Sequence, residues 1–283
     1  MLREFLTQYV ALVIIIFLIT AMFSLGLDLT VRQIIEPLKN KRLVLTAMLT
    51  NVFAVPLLAY ALTWLIPMHE GFRIGIILYA LAAGTEGGPK FVQIVKGNAA
   101  FALGILVLLL TFTVICLPMV LSLAVENLQF PRGELVLKLL LVVALPIGLG
   151  LLLNANAKSV ADKLYPVMHR LSMILLGTAF FVLIYVYYGD IIALQIGAIM
   201  AGLAFFVLAF LAGYLSGGAD WQNRRALGIM TFARNGSIAM MIARDVFADD
   251  PRVLVMVTVM AAASVVGAVL IVVLMGRSAP EAA

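Results

Sequence analysis

Two polar runs hold the residues of this chain that could do chemistry. The first is Gly84-Thr85-Glu86-Gly87-Gly88-Pro89-Lys90 and the second is Ala233-Arg234-Asn235-Gly236-Ser237. Together they offer a carboxylate, an ammonium, a guanidinium, an amide and two hydroxyls. Each run interrupts a stretch that otherwise reads as a membrane span. A charge at the centre of a bilayer costs about 2.5–3.5 kcal/mol on insertion scales, and residues that bear this cost mark solute or ion pathways. The chemistry expected of them is recognition and transfer of a charged solute, not bond cleavage. No zinc-protease motif or nucleophile elbow occurs, so an enzyme is not expected. The first run is glycine-rich but lacks the Lys-Ser/Thr ending of a phosphate loop, which argues against a primary pump.

The backbone chemistry of the runs points the same way. Gly84, Gly87 and Gly88 free the chain from helical geometry. Pro89 cannot continue a helix but suits the first turn of a new one. The segment therefore reads as half-helix, kink, half-helix. Glu86 and Lys90, four residues apart, either neutralise each other or face a solute. Asn235-Gly236-Ser237 is a polar, flexible triplet whose side chains can bond freed backbone groups or a ligand. Arg234 keeps its proton and needs an acceptor, which could be Glu86, a carbonyl or an anionic substrate. Asn51, five residues before Pro56, is read either as an interhelical bridge or as part of the same site. The candidate substrate-binding residues are thus Asn51, Thr85, Glu86, Lys90, Arg234, Asn235 and Ser237.

The elements that must hold these groups are membrane helices. Of 283 residues, 64% are hydrophobic and 12% charged, against about 25% charged in soluble domains. Mean hydropathy is +1.16. The net charge of +5 is no nucleic-acid signal, because the basic residues form no groove-reading module. The single cysteine, Cys116, rules out an intrachain disulfide or a cysteine metal cluster. No cofactor and no metal site is expected. The first apolar segment is too long for a cleavable leader and reads as a span. Nine spans are expected, near 7–27, 41–66, 72–96, 99–123, 134–153, 165–188, 190–215, 222–245 and 252–275, all α-helical. The chain is read as one transmembrane unit in a cell membrane.

One face of that unit carries Arg32, Lys39, Lys41, Arg42, Lys96, Lys158, Lys163, Arg170, Arg224, Arg225 and Arg277; the other carries Arg3, Arg73, Arg132, Lys138, Arg244 and Arg252. The richer face should be cytoplasmic, leaving the N-terminus outside and the C-terminus inside. The broken spans are the third and the eighth. Pairing them makes residues 7–123 a first repeat and 165–275 an inverted second one, with 134–153 unpaired. Broken helices at matching places in two halves point to the binding site of a secondary transporter.

At these residues the chain resembles the bile acid:sodium symporter family. Met22-Phe23-Ser24-Leu25-Gly26-Leu27 is similar to an element ending an early span. Gly84-Thr85 and Lys96-Gly97-Asn98 bracket the first crossing helix, and Asn235-Gly236-Ser237 stands at the second. The resemblance implies a panel domain and a core domain built from inverted repeats, with two discontinuous helices crossing in the core. It also implies a nine-span form with degenerate sodium sites. The family's sodium-coordinating side chains fall on Gly88, Pro89, Met230 and Arg234, with hydroxyl positions near Ala102 and Leu106. Only Asn51 keeps a side-chain amide. The expectation is a secondary carrier for a small organic anion, working by alternating access without sodium, with Lys90 and Arg234 as fixed cations. Glu86 would be a proton carrier or a charge partner. The alternatives are a sodium-dependent organic-anion symporter, a metalloid or auxin-type efflux carrier, and a receptor of the same fold that transports nothing. The partners expected are the solute and the lipid bilayer, with no nucleic acid.

Overall fold

The computed structural model describes residues 2–125 and 130–276, with side chains from residue 6 onward. Arg277 and the Arg3 side chain, both part of the charge bias above, lie outside the described residues. The described chain is helical throughout. Its helices are α1 (Leu2–Asp28), α2 (Val31–Ile35), α3 (Lys41–Leu49), α4 (Val55–Leu65), α5 (Glu70–Leu81), α6 (Gly88–Ile94), α7 (Ala99–Ala124) and α8 (Arg132–Leu139). They continue as α9 (Leu145–Asn156), α10 (Lys158–Val186), α11 (Tyr188–Ile192), α12 (Ile196–Ser216), α13 (Trp221–Phe232), α14 (Gly236–Val246) and α15 (Pro251–Gly276).

Eight segments are long and apolar enough to cross a membrane: Leu6–Asp28, Lys41–Leu65, Ala99–Ala124, Arg132–Asn156, Lys158–Val186, Ile196–Ser216, Trp221–Val246 and Pro251–Gly276. The expected span at 72–96 is two short helices, α5 and α6, neither long enough to cross alone. Two boundaries differ from expectation. The helix expected from 165 begins at Lys158, because its polar first turns stay helical with Lys158 paired to Asp162 at 3.3 Å. The helix expected from 190 begins at Ile196, because α11 and Leu194–Gln195 form the connection. The Gln195 side chain there accepts the His69 amide at 2.6 Å.

Local sequence explains where helices start and bend. Asn40, Asn98, Asp220 and Asn235 each accept an amide of the first turn that follows them, satisfying donors that a helix leaves free. Pro56 and Pro146 lack an N–H, so the helix before each widens to a five-residue π turn, Thr50–Ala54 and Leu140–Ala144. The amides of Val55 and Leu145 bond Thr50 and Leu140, one residue further back than in an α-helix. Lys96 takes φ 57°, and the Gly97 amide reaches back to the Val92 carbonyl at 2.9 Å. That is a left-handed helix end, and Asn98 then caps α7. The Lys96-Gly97-Asn98 run is the turn that joins α6 to α7.

The helices pack as two bundles. α1, α9 and α10 lie against one another, and α3–α7 with α12–α15 pack around the interrupted segments. α1 and α9 cross at two glycines: a Cβ on Gly26 would stand 2.3 Å from the Ile147 carbonyl oxygen, and one on Gly150 2.6 Å from that of Phe23. Asn154 donates to the Leu29 carbonyl at 2.8 Å just beyond. Lys138 on α8 meets Asp245 on α14 at 2.5 Å, tying the bundles at one end.

Backbone contact on both sides of this crossing leaves no flexible group to move aside. Gly150→Val should therefore lower the thermal midpoint of the detergent-purified protein, by about 1–3 kcal/mol or more for overpacking. Gly148→Val, where an added Cβ meets nothing within 4 Å, is the control. Equal midpoints for the two variants would mean that the helices can separate here at little cost.

Candidate functional site

The interrupted segments meet. α5 stops at Leu81, and the carbonyls of Ala82, Ala83 and Gly84 lose their helical partners. Gly84, at φ +86°, turns the chain where a Cβ would press on α7. Each freed carbonyl finds a donor from elsewhere in the chain. The Asn235 amide bonds Ala82 at 2.8 Å. The Thr113 hydroxyl on α7 bonds Ala83 at 2.8 Å. The Asn235 side-chain NH2 bonds Gly84 at 2.9 Å. The same Asn235 accepts from the Ile238 amide at 3.0 Å and so starts α14. One buried asparagine thus terminates one half-helix, begins another and holds the two breaks together.

Beside this junction lies Arg234, only 2% exposed. Its Nη1 makes a long contact of 3.5 Å to the Asn51 carbonyl. That carbonyl is free because the residue five positions on is Pro56, which has no N–H to offer across the π turn. The Asn51 side chain donates to Ala47 at 2.9 Å and to the Thr231 hydroxyl at 3.1 Å. Nε and Nη2 of Arg234, Oδ1 of Asn51 and the hydroxyl of Tyr79 are buried without a hydrogen-bond partner. Among the described residues no carboxylate pairs with Arg234.

The other expected residues divide. Thr85 lies in the first break, and its carbonyl accepts the Gly88 amide at 3.1 Å. Glu86 is half-buried, with Oε2 shut away from any donor, and it forms no ion pair with Lys90 or Arg234 among the described residues. Ser237 is buried in the first turn of α14. Lys90 is exposed on α6 and turns away from the junction to α10, where Nζ lies 3.1 Å from His169 Nε2. Asn51, Arg234 and Asn235 are therefore gathered at the junction, and Lys90 stands apart from them.

Sequence reading did not single out Thr113, Thr231, Tyr79, Arg225 or His169 as site residues. The Thr113 hydroxyl reaches across to Ala83 instead of to its own helix. Arg225, read as a face charge, is buried and donates to the Val95 carbonyl at 2.6 Å, closing the end of α6. A threonine in an apolar helix gives no sign of which way its hydroxyl turns.

Oxygen supply decides whether sodium suits the places that the family resemblance would assign it. A Cβ at Gly88 would meet the Met230 sulfur at 2.6 Å, so a thioether fills the space over Gly88. The second place holds the Arg234 guanidinium itself. Hard cations take oxygen ligands, and a fixed guanidinium repels them. The residues present do not fit sodium at these positions. Among the described residues no group of His, Cys, Asp and Glu could hold another metal.

The junction makes its own test. Asn235→Ala would orphan the Gly84 carbonyl and the Ile238 amide, at about 1–3 kcal/mol for each buried group. The thermal midpoint should fall steeply, and Thr113→Val, which orphans one carbonyl, should cost about half as much. A neutral Asn235→Ala would show that the breaks are held by packing alone.

A family model described as the Sodium Bile acid symporter family matches residues 15–195, well over half of the chain. No curated protein matches it.

Proposed function

Because the chain belongs to the Sodium Bile acid symporter family, whose members are membrane transporters rather than enzymes, we propose that it is a secondary carrier moving a small organic anion without sodium. One observation carries the reading: a buried guanidinium with no carboxylate partner among the described residues sits where the two interrupted helices meet. A permanent positive charge there does electrostatically what a bound inorganic cation would do. It favours an anion in the neighbouring space, and no ion need enter or leave with each cycle.

The packing supports a nine-span inverted repeat, with α5 and α6 together forming the third span. α4 lies on α5 as α12 lies on α13. α5 packs on α15 as α13 packs on α7, and α6 on α7 as α14 on α15. These pairs exchange when the second and seventh spans, the third and eighth, and the fourth and ninth are swapped. The bundle of α1, α9 and α10 then corresponds to a panel against which the interrupted core rocks. Alternating access follows from that motion around a fixed site. Glu86, with an oxygen cut off from donors, is a group in the first break that could carry a proton with the solute.

Transport by reconstituted protein tests the proposal. Uptake of labelled organic anions should agree within error in sodium and in potassium buffers, and a steep sodium dependence would overturn the sodium-free reading. Arg234→Met should fold as well as the wild type or better, since an unpaired buried charge is a cost, yet lose most uptake. Retention of full uptake would remove Arg234 from the mechanism. Glu86→Gln should abolish pH-driven uptake but preserve solute exchange, and wild-type uptake indifferent to a pH gradient would exclude proton coupling.

Orientation has a separate check. With the N-terminus outside, a cysteine placed at Asp249 in a Cys116→Ser background should react with an impermeant thiol reagent on whole cells. One placed at Lys41 should not. The reverse pattern would invert the topology.

A further inference from the structure

Lys90 stands apart from the junction and reaches out of the core. It projects from α6 to α10, in the three-helix bundle, where Nζ lies 3.1 Å from His169 Nε2. An ammonium has no lone pair and can only donate, so Nε2 is the acceptor. The imidazole is therefore neutral, with its proton on Nδ1. Tyr165, one turn earlier on α10, stacks on the ring with centroids 5.7 Å apart and planes 9° apart. Lys90 Nζ lies 6.0 Å from the Tyr165 centroid. The tyrosine thus fixes the plane in which Nε2 is offered and draws the ammonium toward it.

Two charges act on this imidazole, Lys90 from α6 and Asp28 from the end of α1. Asp28 closes the span Leu6–Asp28, so the contact lies toward a polar end of the bundle. Of the other elements packed on α10, α9 carries no charged residue, α11 carries Asp190 and α15 carries Arg252. α10 itself adds Lys163, Arg170 and Lys158, the last paired with Asp162 at 3.3 Å. Among the described residues no carboxylate forms an ion pair with Lys90 or His169, so the tie depends on the Nε2 lone pair. Histidine is the side chain whose charge changes between about pH 5 and 8. A proton taken from water onto Nε2 would occupy that lone pair and set two cations face to face. Asp28 would favour the imidazolium so formed, and the stack on Tyr165 would hold it on α10.

We propose that the Lys90–His169 contact is a proton-operated latch between the two helix bundles, closed on the neutral imidazole and opened when Nε2 takes a proton. The latch rests on the rocking of the bundles described above. It governs how readily they part, not what crosses. Its proton comes from water and returns there when the latch closes, so it is distinct from a proton that Glu86 would carry with the solute.

The test is the distance across the seam in the full-length protein in nanodiscs. Nitroxides are attached to Ile94→Cys on α6 and Ile174→Cys on α10, both exposed, in a Cys116→Ser background, and the spin–spin distances are measured against pH. As pH falls from about 8 to about 5, the ratio of long to short distances should rise at least about tenfold, the loss of a hydrogen bond to a charged group. His169→Gln offers an amide oxygen that accepts from Lys90 without titrating, and should stay short at every pH. His169→Arg, a permanent cation, should stay long. Nitrogen-15 spectra at the alkaline end should show His169, one of two histidines, protonated on Nδ1. Lys90→Met should shift it toward Nε2–H, the form that a free histidine side chain prefers. An acid response that His169→Gln retains would overturn the latch and leave the rocking standing. So would a neutral wild-type His169 protonated on Nε2, or a wild-type distance that ignores pH while His169→Arg lengthens it. One unmoving distance in the wild type and in both His169 variants would overturn the rocking reading and the latch with it.

Discussion

The structure turns on a constraint of backbone chemistry: a helix cannot stop inside a membrane unless its freed carbonyls find donors. Three carbonyls are released where α5 ends, and two of the three donors come from Asn235. The hydrocarbon core of a bilayer supplies no water, and each unsatisfied group there would cost several kcal/mol. The two breaks therefore cannot exist independently. The first needs the second to satisfy its carbonyls, and the second uses the same asparagine to begin α14. What looks in sequence like two separate weak points is one interlocked joint, and the surrounding helices pack to keep it closed.

That joint also fixes where charge can sit. Arg234 precedes Asn235 by one residue, so the bond that places Asn235 on the first break carries the guanidinium into the interior with it. The acceptor it finds is a carbonyl released by Pro56 five residues further along the chain. Lys90 follows Pro89 on a helix that leads away from the joint, and its long stem reaches the other bundle. Two cations that stand in comparable runs thus end in different environments, one enclosed and one exposed.

Between the bundles the contacts are of mixed kind. α1 and α9 are locked by glycines at backbone distance, so the three-helix bundle is rigid within itself. It meets the core by packing of α1 on α14, of α10 on α15 and of α8 on α7, and by side-chain bonds, Lys138 to Asp245 at one end and Lys90 to His169 elsewhere. Bonds of that type can be exchanged for a bond to a solute or to water without disturbing either bundle's packing.

The amino-acid sequence by itself determined the all-helical membrane architecture, the places where helices break, and the family. Those follow from composition, from glycine and proline, and from charge at membrane depth, all of which act locally. It also marked Asn51, Arg234 and Asn235 before anything showed that they meet. Tertiary structure alone decided which polar groups satisfy which. Glu86 and Lys90, four residues apart, have the spacing of a helical pair, but the segment between them is a turn until Gly88, so they do not face each other. Thr113 and His169 gave no local signal, because a hydroxyl or an imidazole on an apolar helix acquires meaning only from what the neighbouring helix presents. Hydrogen bonds across the breaks link residues about 150 positions apart, such as Asn235 and Gly84, and no periodicity within either segment encodes that partner.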